Sequence, residues 1–212
     1  MSLTATGIRH QYTPVDPIVL DGLDLSINSG ESVALMGPSG SGKSTLLAIL
    51  GGLTNPTDGS VEIDGSDPVA ATREGWISWV FQANNALGRR TALDNVTLPL
   101  LVLGEERTHA ETKATRTLEA VGLASKTSSI ARSLSGGELQ RVCIARALVT
   151  EPRFVLADEP TGQLDAATSQ QVLDALWKAR ADATALVIAT HDSIVAARCE
   201  RVLSLREGRF AP

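Results

Sequence analysis

The residues best suited to chemistry form the run Gly37-Pro38-Ser39-Gly40-Ser41-Gly42-Lys43-Ser44-Thr45, which matches G-x-x-x-x-G-K-[ST]. Glycines at this density let the backbone wrap so that its N–H groups converge on an anion. A helix opening at Lys43 would add its positive N-terminal end. A chain of phosphates fits such a cradle, with Lys43 reaching the β- and γ-phosphates and Ser44 ligating Mg²⁺.

Two further clusters gain meaning beside that loop. Phe154-Val155-Leu156-Ala157-Asp158-Glu159 is an apolar strand ending in two acids. Strands ending in Asp are common, so alone it is weak. With a phosphate loop upstream, Asp158 becomes a candidate for the Mg²⁺ shell, and Glu159 for polarising a water beside the γ-phosphate. Leu134-Ser135-Gly136-Gly137-Glu138 opens a helix carrying Gln140, Arg141 and Arg146. Ser135 followed by two glycines is either an ordinary helix cap or a second anion site.

The elements that must hold these residues read as α/β. Strands are expected over Leu3–Tyr12, Leu23–Ile27 and Ser32–Met36, the last running into the phosphate loop. A helix continues over Lys43–Leu50 until Gly51-Gly52, and Val61–Ile63 and Trp76–Phe81 look like strands around a loop. From about Asn84 the spacing turns helical, at Leu93–Leu103, His109–Val121 and Gly137–Val149. Strand-like Phe154–Leu156, Thr184–Ile188 and Arg201–Leu205 then alternate with helices near Ala167–Arg180 and Ile194–Arg198. That alternation predicts a mostly parallel sheet covered by helices.

Composition narrows the possibilities. The 212 residues are 43% hydrophobic and 20% charged, the balance of a globular domain with a sizeable core. A net charge of −5 argues against nucleic acid as a partner. Cys143 and Cys199 lack metal-ligand spacing and are expected as free thiols in a reducing compartment. The opening residues lack the apolar core of a signal peptide, and no apolar run approaches the ~20 residues of a membrane span. Any work at a membrane is therefore expected to go through a partner. The last strand ends close to Pro212, so no further C-terminal domain is expected.

Over essentially its whole length the sequence resembles the ATP-binding domains of ABC transporters. The phosphate loop, the LSGGE signature at 134–138 and the Asp158-Glu159 pair stand in the family's order. Gln82 matches the family's glutamine loop, Asp165 its D-loop, His191 its switch histidine and Tyr12 the aromatic that stacks on adenine. In isolation Gln82 reads as a surface loop residue, His191 as a capping or core histidine, and Tyr12 as a strand aromatic in the core. The resemblance implies a P-loop NTPase fold with an N-terminal antiparallel β region and a helical subdomain insertion. It divides the chain into an ATP-binding core (1–83 and 151–212) and a helical signature subdomain (84–150). It implies an ATPase using ATP and Mg²⁺, with Ser44, Gln82 and Asp158 about the metal and Glu159, His191 and Gln82 about the water. It also implies a head-to-tail homodimer in which Ser135, Gly136 and Gly137 meet the neighbour's γ-phosphate. A membrane permease would be the driven partner, placing the chain peripherally on the cytoplasmic face of the membrane.

Asp94-Asn95-Val96-Thr97-Leu98-Pro99-Leu100 and Ala157-Asp158-Glu159-Pro160-Thr161-Gly162 are similar to the lipoprotein-release and macrolide-efflux branch of the family. That branch includes systems that transmit force across the membrane. Gln163 replaces the branch's usual Asn, and Ala83-Asn84-Asn85 lacks an aromatic two residues after the loop glutamine. These departures leave the ATP residues intact and the substrate open. A soluble ABC protein of DNA repair or translation would need a long coiled-coil insertion or two tandem units. A catalytically silent module would not need Lys43, Asp158, Glu159 and His191 together, and a P-loop kinase or GTPase would not need 134–138.

Overall fold

The computed structural model describes residues 1–211. In chain order the strands and helices are β1 (Ser2–His10), β2 (Leu20–Asn28), β3 (Ser32–Met36), α1 (Lys43–Leu50), β4 (Asp58–Ile63) and α2 (Pro68–Arg73). They continue with β5 (Ile77–Val80), α3 (Ala92–Val102), α4 (Arg107–Ala120), α5 (Gly136–Leu148), β6 (Phe154–Asp158) and α6 (Ala166–Ala179). The last are β7 (Ala185–Thr190), α7 (Ser193–Ala196), β8 (Arg201–Arg206) and β9 (Arg209–Phe210). Two compact units result, one from residues 1–77, 153–159 and 182–212, the other from 78–152 and 160–181.

The first unit holds two sheets. β2-β1-β4 is antiparallel, with Leu3 opposite both Ile27 and Ile63. β6-β7-β3-β8 is parallel, and β9 pairs antiparallel with β8. β6 and β7 read as unbroken apolar runs because their residues are buried on both faces. α1 packs on β6 and β7, and its Leu46, Leu47, Ile49 and Leu50 are buried. Each such burial stabilises by about 1.5–3 kcal/mol, which anchors the helix behind the phosphate loop.

β1 is bulged. Its inward residues are Leu3 and Ala5, then Ile8 and His10, with register shifts after Ala5 and after Ile8. The strand stops at His10 rather than continuing to Tyr12. Thr13 carbonyl accepts from Asp16 N–H, and His10 carbonyl accepts from Val19 N–H at 2.8 Å, turning the chain back toward β2.

The second unit is helical. α4 buries only Ala110, Ala114 and Leu118, one residue per turn, and packs on α3 with that narrow stripe. α5 packs on α3 and α6, and α6 groups with this unit through its close packing on α5, where Thr168 meets Gly137.

Helix α2 falls where the sequence suggested only a loop. Asp67 caps it, its carboxylate accepting from Val69 N–H and Ala70 N–H at 2.9 and 3.0 Å, and Pro68 presets the first turn. No described helix is long and apolar enough to cross a membrane.

Candidate functional site

In the first unit β3 delivers the chain into the glycine-rich loop, and α1 begins at Lys43. Gly42 caps that helix with φ +99°, a conformation that side chains other than glycine's rarely adopt. No side chain caps α1, and its first turn holds no acid. The amide groups of this N-terminus are therefore left without side-chain acceptors, the arrangement an anion requires. Lys43 is 7% exposed, and its ammonium donates back to the Gly37 and Pro38 carbonyls at 2.8 and 3.0 Å. This arches the cation over the loop. Ser41 Oγ is buried with no hydrogen-bond partner among the described residues, a second polar atom suited to a ligand.

β6 brings the acids alongside. Ser44 Oγ donates to Asp158 Oδ1 at 3.0 Å. Burial raises the Asp158 carboxyl above its usual range, and neighbouring Glu159 adds to the rise, while Ser44 and Lys43 oppose it. One hydroxyl and one carboxylate are the hard oxygen donors a small divalent cation accepts when phosphates supply the others. Among the described residues no group of three or more His, Cys, Asp or Glu could hold a metal unaided.

Glu159 sits at the strand end with φ +44°, in the left-handed region for a residue with a side chain. Such conformations cost on the order of 1–3 kcal/mol and persist where the surroundings impose them. Here Glu159 N–H donates to Ala189 carbonyl at 2.9 Å. Its carboxylate bonds His191 Nδ1 at 2.7 Å and accepts from Thr190 Oγ1 at 3.4 Å. His191 follows β7 and is exposed. Tyr12, in the loop after β1, is 63% exposed rather than a core aromatic, and its hydroxyl bonds Thr45 Oγ1 at 2.7 Å.

The second unit carries the remaining residues. Gln82 is exposed just after β5. Ser135 caps α5 in a reciprocal box. Its Oγ accepts from Glu138 N–H at 3.3 Å, and Glu138 Oε2 accepts from Ser135 N–H at 2.9 Å. That second bond, with Lys126 beside it, holds the Glu138 carboxyl below its usual range. Asp165 caps α6, accepting from Thr168 N–H and Thr168 Oγ1 at 3.0 and 2.6 Å. The same Thr168 presses its methyl against Gly137, where an added Cβ would collide with it. The signature and Asp165 thus meet through one threonine.

Set against known proteins, the chain matches a family described as ABC transporter over residues 20–162. The chain belongs to the ABC transporter family. The ABC domain is 48% identical over 198 residues to the lipoprotein-releasing system ATP-binding protein LolD of Legionella pneumophila (strain Paris), covering 90% of this chain and 87% of that one. It is 44% identical over 218 residues to the macrolide export ATP-binding/permease protein MacB of Rhodopirellula baltica, covering 97% of this chain but 32% of that protein. It also resembles the ATP-binding cassette MJ0796, solved as a dimer in a post-hydrolysis state bound to ADP and Pi. That likeness has a TM-score of 0.87 and 34% identity, covering 99% of this chain and 97% of that one. The ABC domain is an ATPase, binding ATP and hydrolysing it to ADP and phosphate.

Two contributors have no motif signal in the sequence of the ABC domain. Thr190 touches Glu159, and Thr168 joins Asp165 to Gly137. Thr190 stands directly beside His191, the one local signal available, and Thr45, already part of the phosphate loop, also holds the Tyr12 hydroxyl. Nothing adjacent to Thr168 marks it.

Proposed function

We propose that this chain is the ATP-hydrolysing subunit of a membrane transport or force-transmitting system, working as a head-to-tail pair. Each ATP lies between the phosphate loop of one copy and Ser135-Gly136-Gly137 of the other, so the nucleotide forms part of the interface. The signature and loop residues act by favouring the closed pair through contacts made only there.

In this reading the loop amides and Lys43 hold the β- and γ-phosphates, and Tyr12 stacks on adenine. Ser44, Asp158 and Gln82 would hold Mg²⁺, which would neutralise charge on the phosphates. Glu159 takes a proton from water as its oxygen bonds to the γ-phosphorus, and the bond from that phosphorus to the bridging oxygen breaks to leave ADP. His191 orients Glu159 and the γ-phosphate, and Asp165 steadies the signature of its own chain. The contact between Glu159 and His191 at 2.7 Å, at the strand end directly after Asp158, carries the catalytic assignment.

The partner is an integral-membrane permease, which places the chain at the cytoplasmic face of the membrane. Likeness to LolD and MacB supports a partner in lipoprotein release, export or force transmission. Co-purification from membranes with an attached permease tests this, and recovery of nucleic acid in its place contradicts it. For the chemistry, Glu159→Gln is expected to lower kcat on the order of 10²–10⁴-fold while ATP binding stays at the native level. Native turnover by that variant would remove Glu159 from the role of base.

A further inference from the structure

We propose that His10 is a positioning residue that mounts the nucleobase platform, holding the Tyr12 ring from one side while Thr45 holds its hydroxyl. The proposal rests on the reading of Tyr12 as the adenine-stacking residue.

Tyr12 stands in an irregular segment and is 63% exposed. An aromatic ring free to rotate there would lose that freedom when a base stacks on it, which weakens binding. Two contacts restrict it in advance. Its hydroxyl bonds Thr45 Oγ1 at 2.7 Å, and Thr45 is a buried residue of α1 next to Ser44. Its ring meets His10 with centroids 4.8 Å apart and planes at 89°, the edge-to-face geometry that aromatic pairs favour.

His10 is placed for this by the strand itself. An unbroken alternation would put residues 3, 5, 7 and 9 of β1 on the inner face. The irregularity about Gly7 moves that face to Ile8 and His10. Gly7 has φ +61° there, and its N–H donates to Asp24 at 2.8 Å, fixing the bulge. His10 is consequently only 5% exposed.

Neither ring nitrogen of His10 has a hydrogen-bond partner among the described residues. A buried imidazole without a hydrogen bond costs stability, and an aliphatic side chain would fill the same space without that cost. The flat ring against Tyr12 is the contact that an aliphatic side chain could not supply. A base stacked on Tyr12 is held in the ground state and the transition state alike, so the mount acts on KM and leaves kcat alone.

The test compares His10→Leu, which keeps volume without a ring, with His10→Phe, which restores the ring, both in the whole chain. Thermal unfolding confirms that each is folded. Tyr12 is the single tyrosine of the chain, so 3-fluorotyrosine labelling gives one ¹⁹F resonance reporting that ring. His10→Leu is expected to raise the KM for ATP about three- to tenfold with native kcat and to shift the resonance. His10→Phe is expected to return the KM toward native. Native KM and an unmoved resonance in His10→Leu overturn the proposal. Tyr12→Ala separates the two levels of the argument. A raised KM there with native values in His10→Leu overturns the mount alone, and an unchanged KM in Tyr12→Ala overturns the stacking reading and the mount together.

Discussion

Two helix N-termini in this chain, both candidate anion sites by sequence, are built in opposite ways. α1 starts at a left-handed glycine with no side-chain cap and no acid in its first turn, and a buried lysine stands over it. α5 starts at Ser135 in a closed capping box, with Glu138 supplying both a hydrogen bond and a negative charge. The first end leaves its amides to a ligand, while the second satisfies its own. The phosphate loop thus leaves donors free for an anion within one chain. The signature end is a finished structural cap, and in the proposed pair an anion reaches it only from the neighbouring chain.

Removing the cation from the open end has the largest expected effect on this contrast. Lys43→Ala deletes a charged hydrogen-bond donor worth about 1.5–3 kcal/mol, so ATP should bind roughly 10- to 100-fold more weakly in calorimetry. Unchanged affinity would break the assignment of the open end. The closed end responds through stability. Gly137→Ala drives a methyl into Thr168, whose hydroxyl is tied to Asp165, and overpacking of this kind costs about 1–3 kcal/mol. Thr168→Ser added to that variant removes the opposing methyl and should recover most of the loss in thermal unfolding. No recovery would place the strain elsewhere.

Ser135→Ala should have the smallest effect, about 1 kcal/mol lost from the cap. Acid sharpens the same point. The carboxyl of Glu138 is held low in the folded chain, so its contribution is present above the ordinary carboxylate range and is lost as the pH falls through the lowered value. Hydrogen-exchange protection in the first turn of α5, taken relative to the intrinsic rate at each pH, should therefore fall below about pH 4, where ordinary carboxylates protonate. An opposite trend would mean that Glu138 does not cap.

The same contrast explains what the sequence could reveal. β3 and α1 match their expected bounds because an apolar run, a glycine loop and a helix of small and apolar residues are all local signals. The cap at Ser135 was legible for the same reason, as was the order of acids after Phe154. Pairing was not legible. Ser44 and Asp158 are 114 residues apart, and only the sheet brings them to 3.0 Å. The irregular β1 register that buries His10 and frees Tyr12 depends on cross-strand partners, which no period in Leu3–Tyr12 displays. α2 was missed because six residues give too few turns for a helical period, though Asp67-Pro68 carried its start signal. The left-handed conformation of Glu159 and its bond to Ala189 on β7 have no local trace in the sequence.

The central claim is that the open end holds a chain's own ATP and the capped end serves a neighbour's. Light scattering of Glu159→Gln with and without ATP tests it most directly, because that variant should bind nucleotide without consuming it. The particle mass is expected to rise from one chain of 22.3 kDa to two when ATP is added. A variant that binds ATP yet stays at the mass of one chain across the concentration range would contradict it.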